Sequence, residues 1–277
     1  MANTASLFDS SAHGLIIPPR PSVLVEISRE LESTSPDLRR VAAIIVRDVG
    51  LSSAMLRVAN SPTFGLRRKI GSIPHALTLL GAKNIADIVT GIVLRQTVGG
   101  KGQSMDRFWD SAEKVAGIAS FVAGLLPRVS CDEAYTLGLF RDVGIPILIQ
   151  RFPAYRETLK LAAGDDCAMV TLEESRHGTN HMTVGFLVAR AWHLPEILCE
   201  AVQRHHDMTV FDDSSLARGG PATLVALNVL SEHLHDEILR GRTNIQWGNA
   251  GLVVLDHLGL THSEYRDIAD EISSQFA

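Results

Sequence analysis

Phe108–Leu126 reads FWDSAEKVAGIASFVAGLL, and its spacing decides the fold class. Phe108, Ala112, Val115, Ala119, Val122 and Leu126 recur at alternating three- and four-residue intervals, which lines them along one face of a helix. Outward from this stretch, helix punctuation recurs along the chain. Ser35-Pro36-Asp37 supplies a capping residue at Ser35, a proline at the first helical position and an acid in the first turn. Ser130 with Glu133, Thr171 with Glu174 and Thr261 with Glu264 have the spacing of capping boxes. Pro195 is expected to open a helix, and Gly81 to close one after ALTLL. Period-two alternation between turn residues is absent. These signals predict an all-α fold of about a dozen helices, at the usual length of about 11–12 residues.

The chain has 277 residues, 45% of them hydrophobic, enough to bury a sizeable core. With 22 glycines and 11 prolines, neither a collagen-like nor a low-complexity chain is possible. Charge is split unevenly. Residues 1–100 carry 11 basic and 7 acidic groups, whereas residues 101–277 carry 15 and 24. The break falls in TVGGKGQS (97–104), so the expected organisation is a tail over 1–16, an N-terminal lobe over 17–100 and a second lobe over 101–277, packed as one unit. Cys131, Cys167 and Cys199 form no CxxC pair and are read as reduced thiols, with Cys167 on an exposed turn beside two acids. The N-terminal stretch has no basic segment followed by an apolar run, and no uncharged apolar run reaches 18 residues; a cytoplasmic protein without a membrane span is the expectation.

Several further stretches resemble the bacterial HDOD family, an output domain related to the HD phosphohydrolases. RDVGLSSAMLRVANSP and SIPHALTLLG carry the likeness in the N-terminal lobe. FWDSAEKVA, DEAYTLGLFRDVGIPIL, HMTVGFLVARAWHLPEIL and AVQRHH continue it in the second, over residues 17–240 in all. The resemblance implies a two-lobed helical fold whose second lobe is an HD-like bundle. It also implies a bacterial signalling module that binds other proteins.

A catalytic HD site holds a divalent metal through a His, an adjacent His-Asp pair and a later Asp, and so activates water against a phosphoester. Matched by motif, these positions hold Ser111, Arg141, Asp142 and, near the last, Asn228. Hydroxyl and amide oxygens are weak neutral donors, and a guanidinium has no lone pair at all. Ile145 stands where active relatives often have a lysine. The expectation is therefore a non-enzyme without cofactor or metal; the alternative is an atypical HD-type phosphohydrolase acting on a nucleotide or cyclic dinucleotide. His181, His205 and His206 keep positions used by binuclear HD enzymes. They read either as a residual ion site with Asp142 or as inherited, hydrogen-bonded pocket histidines. Arg141 reads either as a cation standing in for the lost metal, paired with Asp142 or another pocket acid, or as a solvated surface arginine. His233 and His235 have no metal-like companions and are expected to be surface or partner-facing groups.

Arg67-Arg68-Lys69 is the densest basic cluster, but it lacks the interleaved aromatics that would favour nucleic acid, so nucleic-acid binding is not expected. In Asn60-Ser61-Pro62, the Asn60 side chain is expected to fold onto nearby backbone and fix a turn. No GxxxxGK[ST], GxSxG or HExxH pattern occurs.

Overall fold

The computed structural model describes residues 14–60, 69–99, 103–127, 129–162, 166–212, 220–242 and 244–276. Residues 1–13, Ser61, Pro62, Arg67 and Arg68 lie outside this set, and with them most of the expected tail and basic cluster. Among the described residues the regular structure is helical throughout, with no strand.

The N-terminal lobe consists of α1 (Ser22–Leu31), α2 (Leu38–Val46), α3 (Val49–Ala59) and α4 (Ile73–Val98). Helix α2 is capped by Asp37, whose side chain accepts from the Arg39 N–H, and not by Ser35 as the sequence suggests. An acid two residues closer to the apolar run meets the free N–H groups more directly. Asn60 closes α3 as expected. Its amide donates to the carbonyls of Leu56 (2.8 Å) and Ile70 (2.9 Å), and its oxygen accepts from the Ile70 N–H (2.7 Å). Gly81 breaks α4 with φ +80, although helical hydrogen bonding resumes beyond it. By length and composition α4 could cross a membrane. Here it supplies Ile85, Ile88, Val89 and Leu94 to the protein core.

The second lobe opens with α5 (Gln103–Leu125), whose face of Ala112, Val115, Ala119 and Val122 is buried as its spacing predicts. It continues through α6 (Cys131–Phe140), α7 (Gly144–Arg151), α8 (Tyr155–Leu161), α9 (Asp166–His177), α10 (His181–Ala191) and α11 (Glu196–Arg204), and ends in α12 (Pro221–Leu234), α13 (Ile245–Leu258) and α14 (His262–Phe276). Ser130 and Thr261 cap as expected, and Pro195 sits at the start of α11. Thr171 does not cap: α9 begins at Asp166, five residues earlier, so Thr171 lies inside the helix. Cys167 accordingly stands in the first turn of α9 and not on a turn.

Helix α12 is the axis of this lobe. Every residue from Ala222 to Ser231 is buried, and α12 packs against α5, α6, α11 and α13. Such all-round burial marks a central core helix. It continues into a π-helical turn, His235–Leu239. Both histidines expected at the surface or facing a partner are buried here. The His233 ring lies parallel to Trp247 at 4.2 Å and bonds the Tyr265 hydroxyl at 2.8 Å. His235 faces Ser111 on α5.

Helix α4 joins the lobes by packing on α6, and one hydrophobic cluster runs through both. Opposite charges meet across this seam as the uneven charge split suggests. Arg95 reaches Asp106 (2.9 Å), Asp110 (3.1 Å) and Glu113 (3.8 Å), and Lys83 pairs with Asp132.

Candidate functional site

Three chain reversals build the site. Arg141 caps α6 and Asp142 follows it in the turn before α7; His181 is the first residue of α10; His205 and His206 follow the end of α11. Gly144 allows the first two to meet. A Cβ there would stand 2.1 Å from the His181 carbonyl oxygen, so only glycine lets the start of α7 touch the start of α10.

The result is a cluster of Asp142, His181, His205 and His206, one candidate ligand atom from each lying within 4.8 Å of the others. His181 Nε2 is 3.3 Å from His205 Nε2, and the two stand 3.7 and 3.6 Å from Asp142 Oδ1. The far side of each ring fixes its tautomer. His181 Nδ1 lies 2.7 Å from the Glu173 carboxylate, and His205 Nδ1 lies 2.8 Å from the Val202 carbonyl. Both partners only accept, so both Nδ1 atoms are assigned as donors. With both rings neutral, two imidazole lone pairs and a carboxylate oxygen converge with no proton between them. Such a triangle calls for a positive charge, either a metal ion or a proton shared between the rings. Zinc–nitrogen bonds of about 2.0–2.1 Å imply tetrahedral edges of about 3.3–3.4 Å, close to the observed spacing. The donor set fits one borderline transition ion.

Glu173 carries no motif and was not evident from sequence. It is fully buried on α9 and also accepts from the His181 backbone N–H (3.2 Å) and the Tyr155 hydroxyl. This carboxylate–histidine pairing is the arrangement that orients a metal-binding imidazole.

Beside this cluster lies a buried ion-pair group centred on Arg141. Arg141 is 5% exposed, which overturns the solvated-arginine alternative. Its Nε lies 2.5 Å from Glu232 Oε1 and 3.2 Å from Asp142 Oδ2, and its Nη1 donates to the Gly138 carbonyl. Asp142 is thus divided, with Oδ2 facing the guanidinium and Oδ1 the imidazoles. Burial alone would raise the Asp142 carboxyl, but Arg141, with His205 and His181 when these rings carry a proton, outweighs it and holds it well below the usual carboxylate range. Burial and then the neighbouring Asp142 charge push Glu232 up against the pull of Arg141. His206 is held well below its ordinary value by burial and by His205 and His181.

Asn228 is buried one turn before Glu232 and donates to its second oxygen at 3.1 Å. Ser111 Oγ stands 3.4 Å from His235 Nε2, and His235 Nδ1 is 3.4 Å from Asp236. A cavity of about 410 Å³ opens over this ion-pair group, with Ser111, Arg141, Asp142, Glu232, His235 and Asp236 in its wall. The residues present therefore fit one ion beside a fixed guanidinium; they do not fit two ions.

The all-α bundle is of the class of signalling-type domains related to HD phosphohydrolases. The chain is a member of the HDOD domain family, which matches residues 17–208. An uncharacterized protein of Treponema pallidum (strain Nichols) is 23% identical over 194 residues, which are 69% of this chain and 38% of that protein. Among solved structures, an HDOD domain protein of unknown function from Geobacter sulfurreducens superposes with a TM-score of 0.72 at 23% identity, covering 97% of this chain and 93% of its own. A protein from Shewanella amazonensis SB2B, named as a candidate phosphohydrolase, gives 0.71 at 18% identity, covering 94% and 91%. These likenesses establish a shared fold.

Proposed function

We propose that the protein is a non-catalytic signalling module that acts by binding protein partners. The observation that carries this reading is the Arg141 ion-pair cluster. Its guanidinium lies between Asp142 and Glu232, in the half of the centre where hydrolytic relatives need a cation with open coordination positions. A guanidinium supplies charge but cannot bind or acidify water, so it cannot generate the hydroxide that attacks a phosphoester. Apolar side chains left in solvent on α13 (Ile245, Leu252 and Val253) are of the kind a protein partner covers.

The test combines two measurements on the purified chain. Bis(p-nitrophenyl) phosphate and cyclic dinucleotides, each with manganese, nickel or iron(II), are expected to give no turnover above that of Asp142→Ala. In parallel, Leu252→Glu is expected to abolish recovery of a partner that co-purifies stoichiometrically with the wild type. Metal-dependent turnover lost in Asp142→Ala would overturn the reading.

The cluster of Asp142 and three histidines favours a second reading, in which the surviving half-centre holds one ion and the domain is an atypical phosphohydrolase. When bound, that ion would supply Lewis acidity at Asp142 Oδ1, His181 and His205, while Glu173 holds the His181 ring in position. Elemental analysis of protein prepared without chelator separates the two readings. A stoichiometric transition metal that is lost in His181→Ala and His205→Ala, together with turnover, supports the second.

A further inference from the structure

We propose that the cavity at the seam between the lobes, walled by α4, α5 and α6, binds a small protonated amine carried on an apolar body. This goes beyond the signalling reading, because the site lies apart from the Asp142 cluster and would exist whether or not a partner docks.

The cavity holds about 410 Å³, within the range of small-ligand sites, which is about 300–1,000 Å³. Leu79, Leu80, Ile88 and Phe121 supply its apolar wall, and Asp87 and Tyr135 its polar one. The kink at Gly81, beside Leu79 and Leu80, leaves the wall open at that point: a Cβ there would meet nothing within 4 Å.

Two polar groups point to a ligand. Tyr135 is only 8% exposed and lines the cavity, yet its hydroxyl has no hydrogen-bond partner among the described residues. The hydroxyl therefore opens onto the cavity, where an entering ligand can meet it. Asp87 on α4 faces Asp132 on α6, and the nearest cation, Lys83, pairs with Asp132 instead. Glu133 on α6 lies near Lys83, and Glu113 on α5 lies near Tyr135 but is paired with Arg95 at 3.8 Å. With Glu113 balanced by Arg95, the acids Asp87, Asp132 and Glu133 still outnumber Lys83 around the cavity. Burial and the Asp132 charge push the Asp87 carboxyl up to about 8, so at neutral pH it keeps its proton while the cavity is empty.

An ammonium entering the cavity would replace that proton. Asp87 would ionise against it, the proton would pass to solvent, and the Tyr135 oxygen would accept a second N–H. The Phe121 ring offers a π-face for the cation and a surface for the apolar body. A neutral ligand of the same shape gains only the apolar contacts.

The test is calorimetric titration of the full chain with 2-phenylethylamine and with 2-phenylethanol, its uncharged analogue. The amine is expected to bind at least tenfold more tightly than the alcohol. Its affinity should rise by up to tenfold per pH unit between about pH 6 and about pH 8, as the cost of removing the Asp87 proton falls. Proton release makes the binding enthalpy depend on the ionisation enthalpy of the buffer. Asp87→Asn is expected to remove the preference for the amine while leaving alcohol binding. Tyr135→Phe is expected to weaken amine binding, and it decides the matter together with the wild-type pH dependence if Asp87→Asn does not fold. Equal affinity for amine and alcohol, no amine binding at millimolar concentration, or unchanged amine affinity in folded Asp87→Asn would overturn the proposal.

Discussion

Single side chains hold several parts of the molecule in place, and three of them make sharp predictions. Arg141 holds Asp142 and Glu232 together in a buried site, so Arg141→Ala leaves two carboxyls facing each other without their cation. Breaking a buried pair in this way costs about 3–5 kcal/mol, readable as a shift of the urea midpoint at constant slope. A melt unchanged by the substitution would show that the guanidinium has no such role. Asn60 makes three hydrogen bonds that tie the end of α3 to the start of the chain leading into α4. Asn60→Ala is expected to cost about 1–3 kcal/mol, with Asn60→Asp recovering only part because it keeps the acceptor and loses the donors. Asp87 gives a pH dependence of definite sign. Its folded value lies above that of the unfolded chain, so it stabilises below about pH 4 and the contribution is lost as pH rises through about 8. The stability of wild type relative to Asp87→Asn should fall over that window. A flat difference between two denaturation series would contradict the assignment.

At the level of helices, the sequence shows the framework well and the contacts poorly. The face of α5, the caps at Ser130 and Thr261 and the break at Gly81 are local features, and each appears where its spacing indicates. Thr171 misled because capping boxes and ordinary helix interiors share the same residue types, and α9 already starts at Asp166. Asp142, His181, His205 and His206 could be picked out because the family motifs hold them. Glu173 and Glu232 could not, since each gains its meaning from a partner on another helix. One signal was available for Glu232: an acid inside the apolar run of α12, four residues after Asn228, has to find a partner in the core. His233 lies in that same run and His235 opens the π-helical turn beyond it, and each meets a companion on another helix, Tyr265 and Ser111. The contact between α7 and α10 depends on a missing side chain. Gly144→Ala must push the His181 backbone away, at a cost of about 1–3 kcal/mol. Histidine ring signals in an NMR spectrum should move for His181 and His205 and stay in place for His233.

Across the whole molecule, two lobes of opposite net charge share one core, and the ion pairs at their seam contribute little beside it. Arg95 touches three acids but remains partly exposed, so Arg95→Ala should cost about 1 kcal/mol or less and salt should shrink the difference. A large, salt-insensitive loss in a denaturation series would place the strength of the seam in those charges instead of in the packing of α4 on α6. The amine cavity and the Asp142 cluster lie in separate parts of the structure, and α6 runs from one to the other, from Tyr135 to Arg141. The guanidinium at the end of that helix differs from any ion in one respect: it is covalently part of the chain. A cell depleted of manganese or iron, or a buffer full of chelator, leaves Arg141 paired with Asp142 and Glu232 as before. That corner of the pocket keeps its charge balance, and with it its shape, whatever metal the surroundings supply or withhold.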